Sequence, residues 1–385
     1  MKHMARARSG SVVKPKLNML LYGEPGVGKS TLALQIAKFT REDGTPFRVL
    51  VLDAESGGCE EALGELEDDG VDLRNIYLVY SQSQKEIKDY IAKVRDNEVF
   101  YELDEDGEET DEVVKDAYGE DFHPDALILD GTSVLKLVSS QSLLDLSRKR
   151  NKIKAEKSGA TSEEKFVAVS NANLELKDYS QLNFSGQDLV LSLMACGIHV
   201  ITTAREKEET ISVKGDDGKV TSVATGKRVY DSFKGMDYNT KTLVRLYRDD
   251  LGQVCAEISK DRTRTYSAGE IVENPSLLAW ENVIQKGKDR KEFTLKNDLD
   301  NAISTDQAIF EKQMLGADTS TTESVSAASE SAANLKTSIK NAIAKLDAAG
   351  KQEMKKKLTD ANLPTAYTKV TDTNILSQIL SIVSA

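Results

Sequence analysis

The sequence predicts an α/β protein built on a mainly parallel central sheet, and three observations lead there. Short apolar runs rich in branched residues recur through roughly the first 260 positions. They are apolar throughout, as strands covered on both faces are, and segments with helical spacing separate them. One run passes through a glycine-rich octet directly into a helical segment.

The strand runs are 17–22, 48–53, 76–80, 126–130 and 198–203, and the helical segments between them are 30–40, 58–67, 84–96, 133–147 and 186–195. Runs 242–247 and 253–260 flank Asp249-Asp250-Leu251-Gly252 and read as a terminal β-hairpin. Two polar insertions interrupt the pattern and are expected at the surface. The acidic one spans 98–121 with a turn at Asp106-Gly107; the other spans 206–237, with Asp216-Asp217-Gly218 suggesting a flexible hairpin.

Residues 316–334 are rich in Ser, Thr and Ala and poor in large apolar groups, so they cannot bury enough surface to order a chain. Beyond them Leu335, Ile339, Ile343 and Leu346 keep helical spacing, further amphipathic runs follow around 354–358 and 375–383, and Pro364 separates the last two. The expected organisation is an N-terminal tail over 1–16, an α/β core over 17–285, a flexible linker over 286–334 and a small helical module over 335–385. Met1-Lys2-His3-Met4 reads as an expression remnant ahead of a start at Met4.

Composition narrows the function classes. The 385 residues include 51 basic and 63 acidic side chains, a net charge of −12, so any nucleic-acid contact must come from a local basic patch. Cys59, Cys196 and Cys255 form no CxxC pair, and neither cysteines nor the three histidines cluster as metal ligands do. No apolar run reaches the roughly 20 residues that cross a bilayer, and the N-terminus lacks the apolar core of a secretion signal, which points to a cytoplasmic protein.

Gly23-Glu24-Pro25-Gly26-Val27-Gly28-Lys29-Ser30 fits the GxxxxGK[ST] P-loop at every position and lies between a strand and a helix. Its glycines let backbone N–H groups turn inward on phosphates, and the helix N-terminus adds partial positive charge. Lys29 is expected on the β- and γ-phosphates, the Ser30 hydroxyl on Mg²⁺ and Thr31 near the α-phosphate, with ATP as the nucleotide. Four apolar residues followed by Asp130 supply the buried-strand carboxylate for the same Mg²⁺. Hydrolysis also needs a group to orient or deprotonate water; Asp53 and Glu55, at the end of another buried run, are candidates, although a solvated turn has the same composition.

Asp53-Ala54-Glu55 after the P-loop helix resembles the RecA-type ATPases, and the resemblance makes Glu55 the catalytic base. Lys260-Asp261-Arg262 is similar to the element by which one such subunit reaches its neighbour's γ-phosphate, so Lys260 and Arg262 would act in trans. Leu129-Asp130-Gly131-Thr132, the segments 177–182 and 198–207, and the strand run over 49–55 together resemble the phage-encoded RecA-like NTPases of the Sak type, single-strand annealing recombinases, over about residues 17–280. Where those proteins often carry His, this chain has Arg205; Thr203 or Arg205 would then sense the γ-phosphate.

The resemblance implies a DNA-stimulated ATPase that binds single-stranded DNA and promotes annealing or strand exchange in phage recombination inside a bacterial host. ATP would lie between subunits of a homo-oligomeric filament or ring. The run from Arg148 through Lys149, Arg150, Lys152 and Lys154 to Lys157 stands where such proteins place a mobile DNA-contacting loop, though charge runs are commonly solvated faces. Tyr179 and Phe184 fit either the core or stacking on bases. Lys214, Lys219, Lys227, Arg228 and Lys234 form a second, weaker basic set, and the C-terminal module is a candidate dock for a single-strand binding protein. A replicative helicase or helicase loader of the same superfamily, or a nucleotide-gated DNA-binding protein with little turnover, stay open as readings.

Overall fold

The computed structural model describes residues 15–55, 57–104, 109–214 and 220–286, and further along 339, 342–343, 354, 356–358, 361, 363–364 and 373–383. The chain opens with β1 (Asn18–Gly23), α1 (Lys29–Leu34), β2 (Val49–Asp53), α2 (Glu60–Asp68), β3 (Ile76–Tyr80) and α3 (Gln84–Asp96). The hairpin β4 (Tyr101–Leu103) and β5 (Glu109–Val113) precedes β6 (Ala126–Asp130), α4 (Thr132–Lys157), α5 (Ser162–Ser170) and α6 (Leu176–Ala195). Then come β7 (His199–Lys214), β8 (Val220–Asp231), α7 (Met236–Asn239), β9 (Thr242–Arg248), β10 (Val254–Asp261), β11 (Ile271–Glu273) and α8 (Glu281–Lys286).

Among the described residues one nine-stranded sheet has the order β11-β10-β9-β1-β7-β6-β2-β3, with β8 paired to β7. Strands β9, β1, β7, β6, β2 and β3 run parallel; β10, β11 and β8 join antiparallel. This is the α/β class expected. Period-two alternation divides β1 between the two faces: Met19 and Leu21 pack with α1, α2 and Trp280, while Leu20 and Tyr22 pack with α3 and α6. The parallel strands all finish at one edge of the sheet, where open α/β folds place ligands.

Four local readings of the sequence are corrected. The helix expected over 133–147 continues to Lys157, so the basic run is the last third of α4 rather than a loop. No Gly or Pro interrupts it before Ser158-Gly159, and Lys154 and Lys157 in its last turn oppose the helix dipole. Helix α6 starts ten residues before Gly186, at a box in which Glu175 and Asp178 cap each other's backbone amides. Gly186 is there for close approach, since a Cβ would fall 2.3 Å from Phe233 Cδ1. Strand β7 extends through Lys214 into a long hairpin with β8, whose tip at 215–219 lies outside the described residues.

The acidic insertion is exposed only in part. Phe100 and Val114 within it, and Phe122 just after it, belong to the core. Arg48 is buried and donates to Asp116 (Nε, 2.8 Å) and Glu120 (Nη2, 2.7 Å). Burial pushes the Asp116 carboxyl up, but the amides of Glu120 and Tyr118 and the Arg48 guanidinium outweigh it and hold it below the usual carboxylate range. Its stabilisation is therefore complete above the ordinary carboxylate pKa and fades as pH falls through the depressed value. Asp116→Ala strands a buried guanidinium, and a loss of about 3–5 kcal/mol is expected in denaturant titrations at neutral pH. A loss below about 1 kcal/mol would mean Glu120 alone satisfies Arg48.

The chain divides into two units, Met1–Asn297 and Asp298–Ala385. In the second, Ile339, Met354, Leu358, Leu376, Ile379 and Val383 form their own apolar cluster, the last three on α9 (Thr373–Val383). The tail over 1–14, the linker over 287–334, Leu335 and Leu346 lie outside the described residues. Among the described residues no helix is long and apolar enough to cross a membrane.

Candidate functional site

The P-loop leaves the end of β1, whose neighbours are β7 and β9. Gly23 is held there by sterics, because a Cβ would stand 2.0 Å from the Leu246 carbonyl oxygen. Gly26 (φ 69°) and Gly28 (φ 92°) take the left-handed conformation that curls the loop. The Lys29 ammonium is folded into the curl, donating to the carbonyls of Glu24 (2.7 Å) and Gly23 (3.3 Å). Burial pulls its pKa below the ordinary lysine value against the opposing pull of Glu55 and Asp130.

Lys29 and Ser30 begin α1, and the Ser30 hydroxyl donates to Asp130 Oδ2 at 2.8 Å across 100 residues of sequence. Asp130 is buried, ends β6, and stands one strand away from β1. The intervening β7 carries Thr203, whose hydroxyl donates to Asp130 Oδ1 and accepts from the Gly131 amide at 2.9 Å. Cys59 completes the surroundings, its thiol 3.4 Å from Asp130 Oδ2 and its pKa raised by burial and by that carboxylate. The cysteines at 59, 196 and 255 are all buried, and none of the three is in a disulfide. Gly58 leaves room above the pair, since a Cβ would lie 3.3 Å from Asp130 Oδ2 and 3.8 Å from Ser30 Oγ. Ser30 and Asp130 thus offer hard oxygen ligands of the kind Mg²⁺ takes.

The carboxylates of Asp53 and Glu55 serve different purposes. The strand ends at Asp53, which accepts the amides of Glu55 (2.7 Å) and Gly57 (2.9 Å) and so shapes the turn. Glu55, beyond the turn, accepts from Arg205 Nε at 3.0 Å and lies over Gly131, where a Cβ would be 2.5 Å from Glu55 Cγ. Of the two proposed sensors, Thr203 therefore touches the metal-type carboxylate and Arg205 touches the candidate base.

The trans element lies at the other end of the sheet. Thr242 pairs with Met19 and with Asp261, placing Lys260 and Arg262 where β1 begins, about 13 Å along the strand from Gly23 at ~3.3 Å per residue. They cannot serve their own P-loop. Arg262 is exposed, but Lys260 departs from expectation: its ammonium donates to the carbonyls of Asp237 (2.7 Å), Tyr238 (3.1 Å) and Thr240 (2.6 Å), anchoring the loop that enters β9.

The basic run of α4 is not uniformly free. Arg148 pairs with Asp145 and Arg150 donates through Nη2 to both carboxylate oxygens of Asp178 at 2.7 Å, leaving Lys149, Lys152, Lys154 and Lys157 exposed on α4. Tyr179 and Phe184 are 52% and 70% exposed, which excludes the core reading; the inner stripe of α6 is Leu182, Gly186, Leu189, Val190 and Leu193. In the second basic set, Arg228 pairs with Glu206, Lys214, Lys227 and Lys234 are exposed, and Lys219 lies outside the described residues. Sequence reading missed Arg248. It ends β9 beside the P-loop and donates to the Gly26 carbonyl at 3.3 Å and the Gly252 carbonyl at 3.0 Å, bracing the loop from outside. The available signal was a cation closing a strand that neighbours β1.

No family model matches the sequence, and no curated protein does. Among solved structures the chain is similar to a KaiC-like protein from the hyperthermophilic archaeon Pyrococcus horikoshii OT3, at 15% identity and a TM-score of 0.37, over 68% of this chain and 90% of that one.

Proposed function

We propose that this chain is a RecA-like ATPase that hydrolyses ATP with Mg²⁺ between adjacent copies of itself and acts on single-stranded DNA, promoting annealing or strand exchange in phage recombination. The carrying observation is the 2.8 Å contact between Ser30 and Asp130 beside a lysine folded into a complete P-loop. A hydroxyl and a carboxylate side by side at the mouth of a P-loop are the oxygen pair that would hold a phosphate-bound Mg²⁺. When bound, Mg²⁺ neutralises charge on the β- and γ-phosphate oxygens. The loop amides and Lys29 hold the phosphates, Thr203 orients Asp130, and Glu55 accepts the proton of the attacking water. Arg262 of the neighbouring copy stabilises charge on the transferring group, and Lys260 keeps that copy's loop in place.

The DNA part rests on the exposed lysines of α4 and is tested by ATP turnover with and without single-stranded DNA over a salt series. The expected result is stimulation at low salt whose apparent DNA association constant falls log-linearly with salt, with a slope near −0.7 per phosphate neutralised. A turnover indifferent to DNA sinks that part and leaves the ATPase standing. The Arg205–Glu55 pair favours one second reading, a nucleotide-gated binding protein of low turnover whose base is held out of use.

A further inference from the structure

A groove of about 430 Å³ opens between α3, α4 and α6, on the sheet edge that also carries the P-loop. Its lining includes Gln82 and Gln84 at the start of α3, Ser139 and Ser142 of α4, and Gln181 and Ser185 of α6, over the aliphatic Val138, Leu143 and Leu182. None of the lining residues is charged, so neither phosphate nor metal ion is the occupant it suits. Gln84 ties the walls together, donating to the Ser185 carbonyl at 2.9 Å and accepting from Ser139 Oγ at 3.0 Å, while the Gln181 carboxamide and the Ser142 hydroxyl both donate and accept, which serves the edge of any base, and the aliphatic floor serves its face.

Two further observations point the same way. Helix α4 runs from this groove into the exposed Lys149, Lys152, Lys154 and Lys157, so an uncharged pocket and a row of cations of the kind that suits phosphates share one rod. Helix α6 runs beside it, Asp178 meeting Arg150, and bears the exposed rings of Tyr179 and Phe184 close in sequence to Gln181 and Ser185. Exposed aromatics next to unpaired cations are what a sequence-tolerant single-strand surface requires.

We propose that this groove receives one or two unstacked bases of a single-stranded nucleic acid whose phosphates follow the lysines of α4. The inference rests on the single-strand reading above and adds where, and by which groups, bases are held. It also supplies a route to the ATP site: Gln82 donates to the Ala54 carbonyl at 3.1 Å, one residue before Glu55. A base that engages Gln82 acts on the turn that holds the catalytic carboxylate.

The test compares binding of the full chain to a labelled oligothymidylate and to an abasic oligomer of equal length. The native chain is expected to prefer the oligothymidylate by roughly tenfold or more, since each stacked base is worth that order. Ser142→Trp fills the groove from an exposed position and is expected to reduce oligothymidylate affinity to the abasic level, leaving abasic binding and DNA-free ATPase unchanged while most of the DNA stimulation is lost. Gln181→Ala, a milder change at an exposed site, moves the same readouts in the same direction, so misfolding of the tryptophan variant does not decide the matter. Equal binding of both oligomers by the native chain, or an undiminished preference in both variants, overturns the groove. Failure of the native chain to bind either oligomer removes the single-strand reading itself, and the groove falls with it.

Discussion

Glu55→Gln is expected to bind ATP as the native chain does and to hydrolyse it roughly 10²–10⁴-fold more slowly, the usual contribution of a general base. The substitution keeps an oxygen that can accept from Arg205 Nε, so the turn shaped by Asp53 is preserved and the loss reports on proton transfer. Equilibrium binding of a fluorescent ATP analogue and the rate of phosphate release are the two readouts. Unchanged turnover would remove Glu55 from the chemistry and favour the low-turnover reading. The companion change Arg205→Ala separates restraint from catalysis: faster basal turnover means the ion pair holds the base back, slower turnover means Arg205 positions it.

Arg262→Ala should lower turnover by ~10³ to 10⁵ while nucleotide binding persists, as loss of an arginine finger does. The stronger form of the experiment mixes two inactive chains. Lys29→Ala lacks a working P-loop but presents Arg262, and Arg262→Ala is its complement. With random mixing, about a quarter of the interfaces join an intact loop to an intact arginine, so about a quarter of native activity returns if the contact is head-to-tail. Mixtures as inactive as their components would show that Arg262 does not act across an interface. Lys260→Ala is expected to cost stability as well as rate, because its ammonium ties three carbonyls within its own chain.

The parts of the site legible in the sequence are those set by local geometry. The P-loop octet specifies its own curl, and Asp130 is announced by four apolar residues ending a strand. What escaped depends on contacts between distant segments: Arg205 meets Glu55 across 150 residues, and Arg248 meets Gly26 across 222. The basic end of α4 was misread for another reason. A run of cations looks like a solvated loop, yet Lys and Arg are good helix formers and are welcome at a helix C-terminus. Gly186 misled in the opposite sense, reading as a helix start when its missing side chain makes room for Phe233.

The placement of Gly23 and Arg262 at opposite ends of the same strands has an arithmetic consequence. On the reading proposed above, in which Arg262 acts on a neighbour's P-loop, each copy would offer half a site upward and half downward, so an open stack would end in one P-loop with no arginine above it. Turnover per chain then climbs as stacks lengthen and the idle end becomes a smaller share, whereas a closed ring has no end and a constant rate from the moment it forms. Specific activity plotted against mean assembly size is therefore a measure of topology, obtained without an image of the assembly.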